Sequence, residues 1–199
     1  MIAKRALDLV LAALGLVVLA PLLVALAVAV KAGSPGPVFF RQERVGLHGR
    51  RFRIHKFRTM GADAPSRGSM ITIEGDPRIT RIGRWLRRYK LDELPQLIDV
   101  LRGDMSLVGP RPEVPRYVET YPEQIRERIL SVRPGITDIA SLEFIDEDER
   151  LTKVADPEAE YLQKILPRKL DHYLDYVENR SFTLDLAILG RTIARVFRR

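Results

Sequence analysis

Twenty-two consecutive uncharged residues, Leu9 to Val30, almost all Leu, Val and Ala, constrain this chain more than any other feature. As a straight helix they extend roughly 33 Å at about 1.5 Å per residue, enough to cross a hydrocarbon core of about 30 Å. Hydropathy therefore predicts a membrane helix. A cleaved secretory signal is the first rival, because Lys4 and Arg5 precede the run and Ala27-Val28-Ala29 has the form of a cleavage site. The run is long for that role. Residues 31–60 also carry eight Lys or Arg against one acid, Glu43, and so basic a flank resists translocation and belongs on the cytoplasmic face.

Both flanks are basic, so a single crossing strands one of them against the positive-inside preference. Pro21 sits mid-run, where it removes a helix hydrogen bond and favours a kink. Composition leaves two readings open: a kinked single-pass helix, or a proline-broken re-entrant helix that enters and leaves by the cytoplasmic face.

The other residues form something ordinary by comparison. A chain of 199 residues, 46% hydrophobic and 30% charged, has room for one domain with a real core. It has no cysteine, which excludes disulfides, thiolate metal sites and a cysteine nucleophile. His48, His55 and His172 are too scattered to suggest a zinc cluster. A formal charge of +7 points to an anionic partner: nucleic acid, a membrane surface or a phosphorylated substrate.

Gly33-Ser-Pro-Gly-Pro37 ends the helix, and the domain boundary is set at 1–32 and 33–199. Val38–Val45 and Arg51–Phe57 flank Gly46-Leu-His-Gly49 and predict a β-hairpin with a basic face. Residues 61–77, rich in Gly, Ser, Pro and Asp, predict a mobile loop. Ile79, Ile82, Leu86 and Tyr89 then repeat at helical spacing, with Arg78, Arg81, Arg84 and Arg88 on another face and Trp85 between, the pattern of an interfacial helix. The same charge would suit a solvated face or DNA. The membrane is favoured because a lipid-embedded segment precedes it, and no nucleic acid is expected. Residues 143–160 reverse the sign and are expected to face bulk water. Helices are predicted at about 157–178 and 182–197.

Standard catalytic motifs are missing: no P-loop, no G-x-G-x-x-G, no nucleophile elbow, no H-E-x-x-H. What stands out is Leu91 to Pro112. Asp92 reads as a helix N-cap, with Pro95 tolerated in the first turn and Gly103 ending the helix. Two adjacent acids just after Arg87, Arg88 and Lys90 permit more. A carboxylate at a helix N-terminus stays ionised, can bind Mg²⁺ and can attack a phosphorus whose charge the basic groups screen.

Asp92-Glu-Leu-Pro-Gln96, Gly103-Asp-Met-Ser-Leu-Val-Gly-Pro-Arg-Pro112, Lys56-Phe-Arg-Thr-Met60 and Arg133-Pro-Gly-Ile-Thr137 together resemble the bacterial sugar transferases. These are monotopic polyprenyl-phosphate phosphoglycosyl transferases that initiate surface-glycan assembly. The likeness begins at Lys4-Arg5-x-x-Asp8, passes through the proline-interrupted run and reaches Ser181-Phe-x-Leu-Asp185. It implies a mainly α fold with a small β-hairpin, a re-entrant anchor broken at Pro21 and a catalytic domain on the cytoplasmic face of the bacterial inner membrane, both termini cytoplasmic. It further implies that a UDP-sugar and polyprenyl (undecaprenyl) phosphate give polyprenyl-diphosphate-sugar and UMP, with Mg²⁺ as cofactor. Asp92 is then the nucleophile and Mg²⁺ ligand, Glu93 its partner as proton acceptor or orienting group, and Lys56, Arg87 and Arg111 the phosphate-holding cations. Membrane lipid is a further partner, and a homodimer is left open. Family members often continue Pro-Gly-Ile-Thr with Gly-Leu-Ala-Gln; here Asp138-Ile-Ala-Ser141 follows, which bears on the nucleotide- or sugar-facing detail. A membrane-tethered basic binding module is the non-enzymatic alternative. A transferase moving the whole sugar would release UDP instead of UMP.

Overall fold

In the computed structural model, which describes residues 2–61, 71–73 and 75–197, the apolar run lies within one helix, α1 (Ile2–Gly33). Its 32 residues correspond to about 48 Å of helix, and Pro21 sits inside it. The helix is apolar all round yet packs on one side only. Asp8, Ala12, Leu26 and Val30 are buried, while Val10, Val17, Val18, Val24 and Val28 are bare.

Both halves of that covered stripe rest on the same domain. Near the start, Arg5 donates to the carbonyls of Val100 (2.8 Å) and Met105 (3.3 Å). Asp8 accepts from the Ser106 hydroxyl (2.8 Å) and the Leu107 amide (3.2 Å). Lys4 donates to Asp185 (2.6 Å) and to the Val108 carbonyl (3.2 Å), and Tyr176 donates to the same two groups. At the far end Leu26 and Val30 share a cluster with Phe57 and Leu86.

The hairpin forms as predicted, in two antiparallel pieces: β1 (Phe39–Phe40) with β4 (Lys56–Phe57), and β2 (Glu43–Val45) with β3 (Arg51–Arg53). Most of the 61–77 loop lies outside the described residues. Helix α2 (Arg81–Arg88) is capped by the Thr80 hydroxyl, which accepts from the Gly83 amide. Leu86 is fully buried, contributing roughly 1.5–3 kcal/mol, while Arg81, Arg84, Trp85 and Arg88 face out. Arg78 precedes the helix and pairs with Asp76, so it is not part of that face.

A second β element was not anticipated. β5 (Ser106–Val108) pairs in parallel with β6 (Gly135–Thr137). Strands of three residues carry too short an alternation to read. Between the two lie α4 (Pro115–Val118) and α5 (Glu123–Ile129). After β6 come α6 (Ile139–Glu143), α7 (Glu147–Thr152) and α8 (Pro157–Glu160), which continues through a π-turn at Tyr161–Ile165 into α9 (Leu166–Asn179). Helix α10 (Phe182–Phe197) follows. Val114, Tyr117, Phe144, Leu151, Tyr161 and Tyr173 build the largest core cluster, so the acidic segment is folded onto the domain. Within the stretch expected to face bulk water, Glu147 pairs with the buried Lys169 (2.5 Å), and the half-buried Asp148 pairs with Arg87 (2.7 Å).

Candidate active site

The chemistry-bearing segment is a 3-10 helix, Leu91–Gln96, which passes directly into α3 (Leu97–Arg102) and stops at Gly103 with φ of 87°. Asp92 is not its N-cap, contrary to the sequence reading. The capping position is Lys90, held left-handed at φ 55°, a conformation that costs a non-glycine residue about 1–3 kcal/mol and clusters at functional sites. Asp92 sits one residue inside the helix. Its side chain goes to an ammonium group instead of a backbone amide.

That ammonium is Lys56, the first residue of β4. Its Nζ lies 3.0 Å from Asp92 Oδ2 and 3.0 Å from Glu93 Oε1. Arg111 closes the other side of Glu93 with both guanidinium nitrogens, Nη2 at 2.5 Å from Oε1 and Nη1 at 3.1 Å from Oε2. Burial alone would push the Glu93 carboxyl up. The charges of Arg111 and Lys56, with a lesser share from Lys90, outweigh it and hold the group well below the ordinary carboxylate range. Arg111 is held correspondingly high, first by the Glu93 charge.

Asp92 is different. It is 2% exposed, and its Oδ1 is buried with no hydrogen-bond partner among the described residues. The same is true of the Gln96 amide nitrogen one helical turn on. Buried polar atoms are normally satisfied, so two orphans one turn apart single this segment out.

The strands explain how Arg111 reaches the pair. It stands between Pro110 and Pro112 just past β5, and β5 is seated against β6 at a contact that tolerates no side chain. A Cβ on Gly135 would lie 2.1 Å from the Gly109 amide nitrogen, and one on Gly109 would lie 2.6 Å from the Arg133 carbonyl. The Gly-Pro-Arg-Pro and Arg-Pro-Gly-Ile-Thr segments are thus two halves of one backbone crossing. Beside it, Asp138 caps α6, accepting from the Ser141 amide (2.9 Å) and hydroxyl (2.5 Å), so the Asp138-Ile-Ala-Ser141 departure forms a helix cap. Burial pushes the Asp138 carboxyl up against those bonds.

Lys56, Asp92, Glu93 and Arg111 therefore converge, as the sequence predicts. Arg87 does not join them; Asp148 holds it on the α7 side. Sequence reasoning also missed Gln96 and the residues that set Lys56 in place. The Asp99 carboxylate, at 0% exposure, accepts from the His55 amide (2.8 Å) and from its Nδ1 (2.5 Å), clamping the residue before Lys56. Spacing gave a hint, since 93, 96 and 99 fall three apart along one side of the segment.

The family described as Bacterial sugar transferase matches residues 1–199. UDP-N-acetylgalactosamine-undecaprenyl-phosphate N-acetylgalactosaminephosphotransferase of Aeromonas hydrophila is 37% identical over 198 residues, 97% of this chain and 43% of that protein. UDP-glucose:undecaprenyl-phosphate glucose-1-phosphate transferase of Escherichia coli is 38% identical over 197 residues, 98% of this chain and 40% of that protein. The protein of the same name in Caulobacter vibrioides is 40% identical over 192 residues, 96% of this chain and 68% of that protein. The chain spans about two fifths of the length of the first two relatives. With its four motifs gathered around one carboxylate pair, and a match along its full length, this chain belongs to the bacterial sugar transferase family.

Proposed function

We propose that the chain transfers a sugar-1-phosphate from a UDP-sugar to polyprenyl phosphate, releasing UMP, at the cytoplasmic face of a membrane. The observation that carries this reading is the unpartnered, buried Asp92 Oδ1 beside two cations already committed to a carboxylate. The names of the relatives agree with the substrates. In the proposed sequence Asp92 Oδ1 attacks the β-phosphorus of the UDP-sugar, the bridging P–O bond breaks, and UMP leaves. A phosphate oxygen of the lipid then attacks the phosphorus of the aspartyl phosphosugar, restoring the carboxylate and forming the diphosphate.

Phosphoryl transfer asks for alignment and charge neutralisation more than for acid–base work. Lys56, tied to Oδ2, aims the free oxygen of Asp92. Glu93, held ionised by Arg111 and Lys56, is a poor proton acceptor, so its role in this reading is to hold both cations. Substrate phosphates entering the site meet Lys56 and Arg111, and exchange with Asp148 for Arg87. Mg²⁺ fits the donor set, because such ions take one or two carboxylates and complete their shell with water and substrate phosphates. Asp92 would be that ligand; the bound ion would neutralise charge on the transferring phosphoryl group.

Incubation with a panel of UDP-sugars, Mg²⁺ and no lipid acceptor tests the covalent step. The expected result is stoichiometric UMP release and a sugar-phosphate mass on the peptide containing Asp92, with ping-pong kinetics once the acceptor is added. UMP release only in the presence of acceptor, with no adduct under quench, would favour direct attack by the lipid. Release of UDP would sink the reaction class.

The re-entrant reading of α1 belongs to the same proposal. What supports it is that Lys4, Arg5 and Asp8 at one end and Leu26 and Val30 at the other contact one domain, leaving the opposite apolar face for lipid. A helix spanning the bilayer would carry one of those ends about 30 Å from the cytoplasmic surface. Cysteines placed at Ala3 and at Arg50 should both be labelled from the cytoplasm alone, and Pro21→Leu should shift some molecules toward a crossing. Labelling of position 3 from the opposite side, with Pro21 intact, overturns the topology.

A further inference from the structure

On the other side of His55 from its Asp99 clamp, two guanidinium groups meet. Arg41 Nη1 lies 2.6 Å and Arg102 Nη1 3.3 Å from His55 Nε2, so those two nitrogens are within about 6 Å of each other. A guanidinium can only donate, so Nε2 accepts and the ring proton is on Nδ1, directed at Asp99. Asp99 turns both oxygens to His55, and neither arginine bonds to it. Arg41 has one further bond, to the Arg53 carbonyl (2.8 Å). Among the described residues neither arginine has an acidic partner, and both are exposed.

The neighbours are apolar and half bare. Phe39, 38% exposed, sets its ring edge-on to His55 at 6.2 Å and stacks on Phe57 at 5.6 Å. Phe57 in turn packs with Leu26 and Val30 of α1, so His55, Phe39 and Phe57 connect the arginine pair to the apolar helix. Leu101, next to Arg102, is 39% exposed. Two unneutralised cations at bridging distance call for a doubly accepting anion such as a phosphate diester. The exposed Phe39 ring between them and the apolar helix calls for an anion that carries hydrocarbon.

We propose that Arg41 and Arg102 form a binding site for the phosphate of an anionic membrane phospholipid, with Phe39 and Leu101 against its acyl region. This rests on the reading that α1 lies in the membrane. The site is separate from the carboxylate pair in its contacts: the His55 ring turns to Asp99, Arg41 and Arg102, whereas Lys56 turns to Asp92 and Glu93. It therefore holds a structural lipid, which seats the domain at the interface at a set depth and rotation.

The full chain in neutral phosphatidylcholine nanodiscs, with and without phosphatidylglycerol, tests the proposal alongside the Arg41→Gln/Arg102→Gln double variant and the charge-matched Arg50→Gln/Arg191→Gln. Native mass spectrometry after detergent extraction should find one phosphatidylglycerol retained by the parent chain and the charge-matched control. Retention should fall about fivefold for each of Arg41 and Arg102 removed. The thermal midpoint should rise with phosphatidylglycerol for the parent and not for the Arg41/Arg102 variant. Equal retention and equal midpoint shifts in all three overturn the site. An equal rise on adding inorganic phosphate to neutral nanodiscs overturns the lipid as its source. Flotation of the parent chain with neutral vesicles reports separately on α1: a chain that fails to float has lost the membrane reading itself, and the lipid site with it.

Discussion

Asp92→Asn should abolish turnover while leaving the fold intact. An amide is a poor nucleophile and a weaker Mg²⁺ ligand, and removal of an attacking group from a covalent mechanism costs on the order of 10⁴-fold or more. The cost in stability is small by the same geometry. Lys56 keeps its second carboxylate, Glu93, at 3.0 Å, and Asn fills the volume of Asp at a buried position. The measurement is UMP release in detergent or nanodiscs beside a thermal melt of the same preparation. A folded variant that turns over at near-parental rate removes Asp92 from the chemistry.

Glu93→Gln is expected to fail in another way, losing stability together with activity. It takes one partner from a buried ion pair and leaves Arg111 facing an amide. The destabilisation should be ~3 kcal/mol, the low end for orphaning a buried charge, because the Arg111 side chain keeps 28% exposure. The pH dependence carries the sign. The Glu93 carboxyl is depressed in the fold and titrates near about 4.3 in an unfolded chain. Its contribution is therefore whole above that ordinary value and is lost as pH falls toward the depressed one. Urea unfolding from pH 7 down to pH 3 should show an acid limb in the parent that is shallower in Glu93→Gln. Matching limbs in the two proteins would mean that the Arg111 pair contributes nothing to the fold.

Much of this was legible in the sequence because the informative features are compositional or local. The hairpin around Gly46-Leu-His-Gly49 and the late helices are set by periodicity and turn residues and occur as read, and the apolar run forms one long helix with Pro21 inside it. Asp92 and Glu93 were legible as adjacent acids in a basic setting, and Lys56 and Arg111 through the family likeness. What could not be read was set by long-range pairing. No local pattern says that Ser106–Val108 lies along Gly135–Thr137, that Asp148 captures Arg87, or that Asp99 fixes His55. The N-cap reading of Asp92 failed for a related reason: local rules see the helix terminus but not the lysine that arrives from residue 56.

The bond between Lys4 and Asp185 joins residues 181 positions apart, and it has a consequence for how the protein is made. At about 5–20 residues per second, some ten to forty seconds separate synthesis of the two partners. For the first half of that interval Asp8 has neither Ser106 nor Leu107, and until its end Lys4 has no Asp185. On the proposed membrane reading of α1, the nascent helix meets the lipid first, and the rest of the chain grows out beside it. Docking of the first turns onto β5 is then among the last events of folding, completed when α9 and α10 deliver Tyr176 and Asp185 to the same strand. On that reading the order of assembly is membrane first, catalytic geometry last.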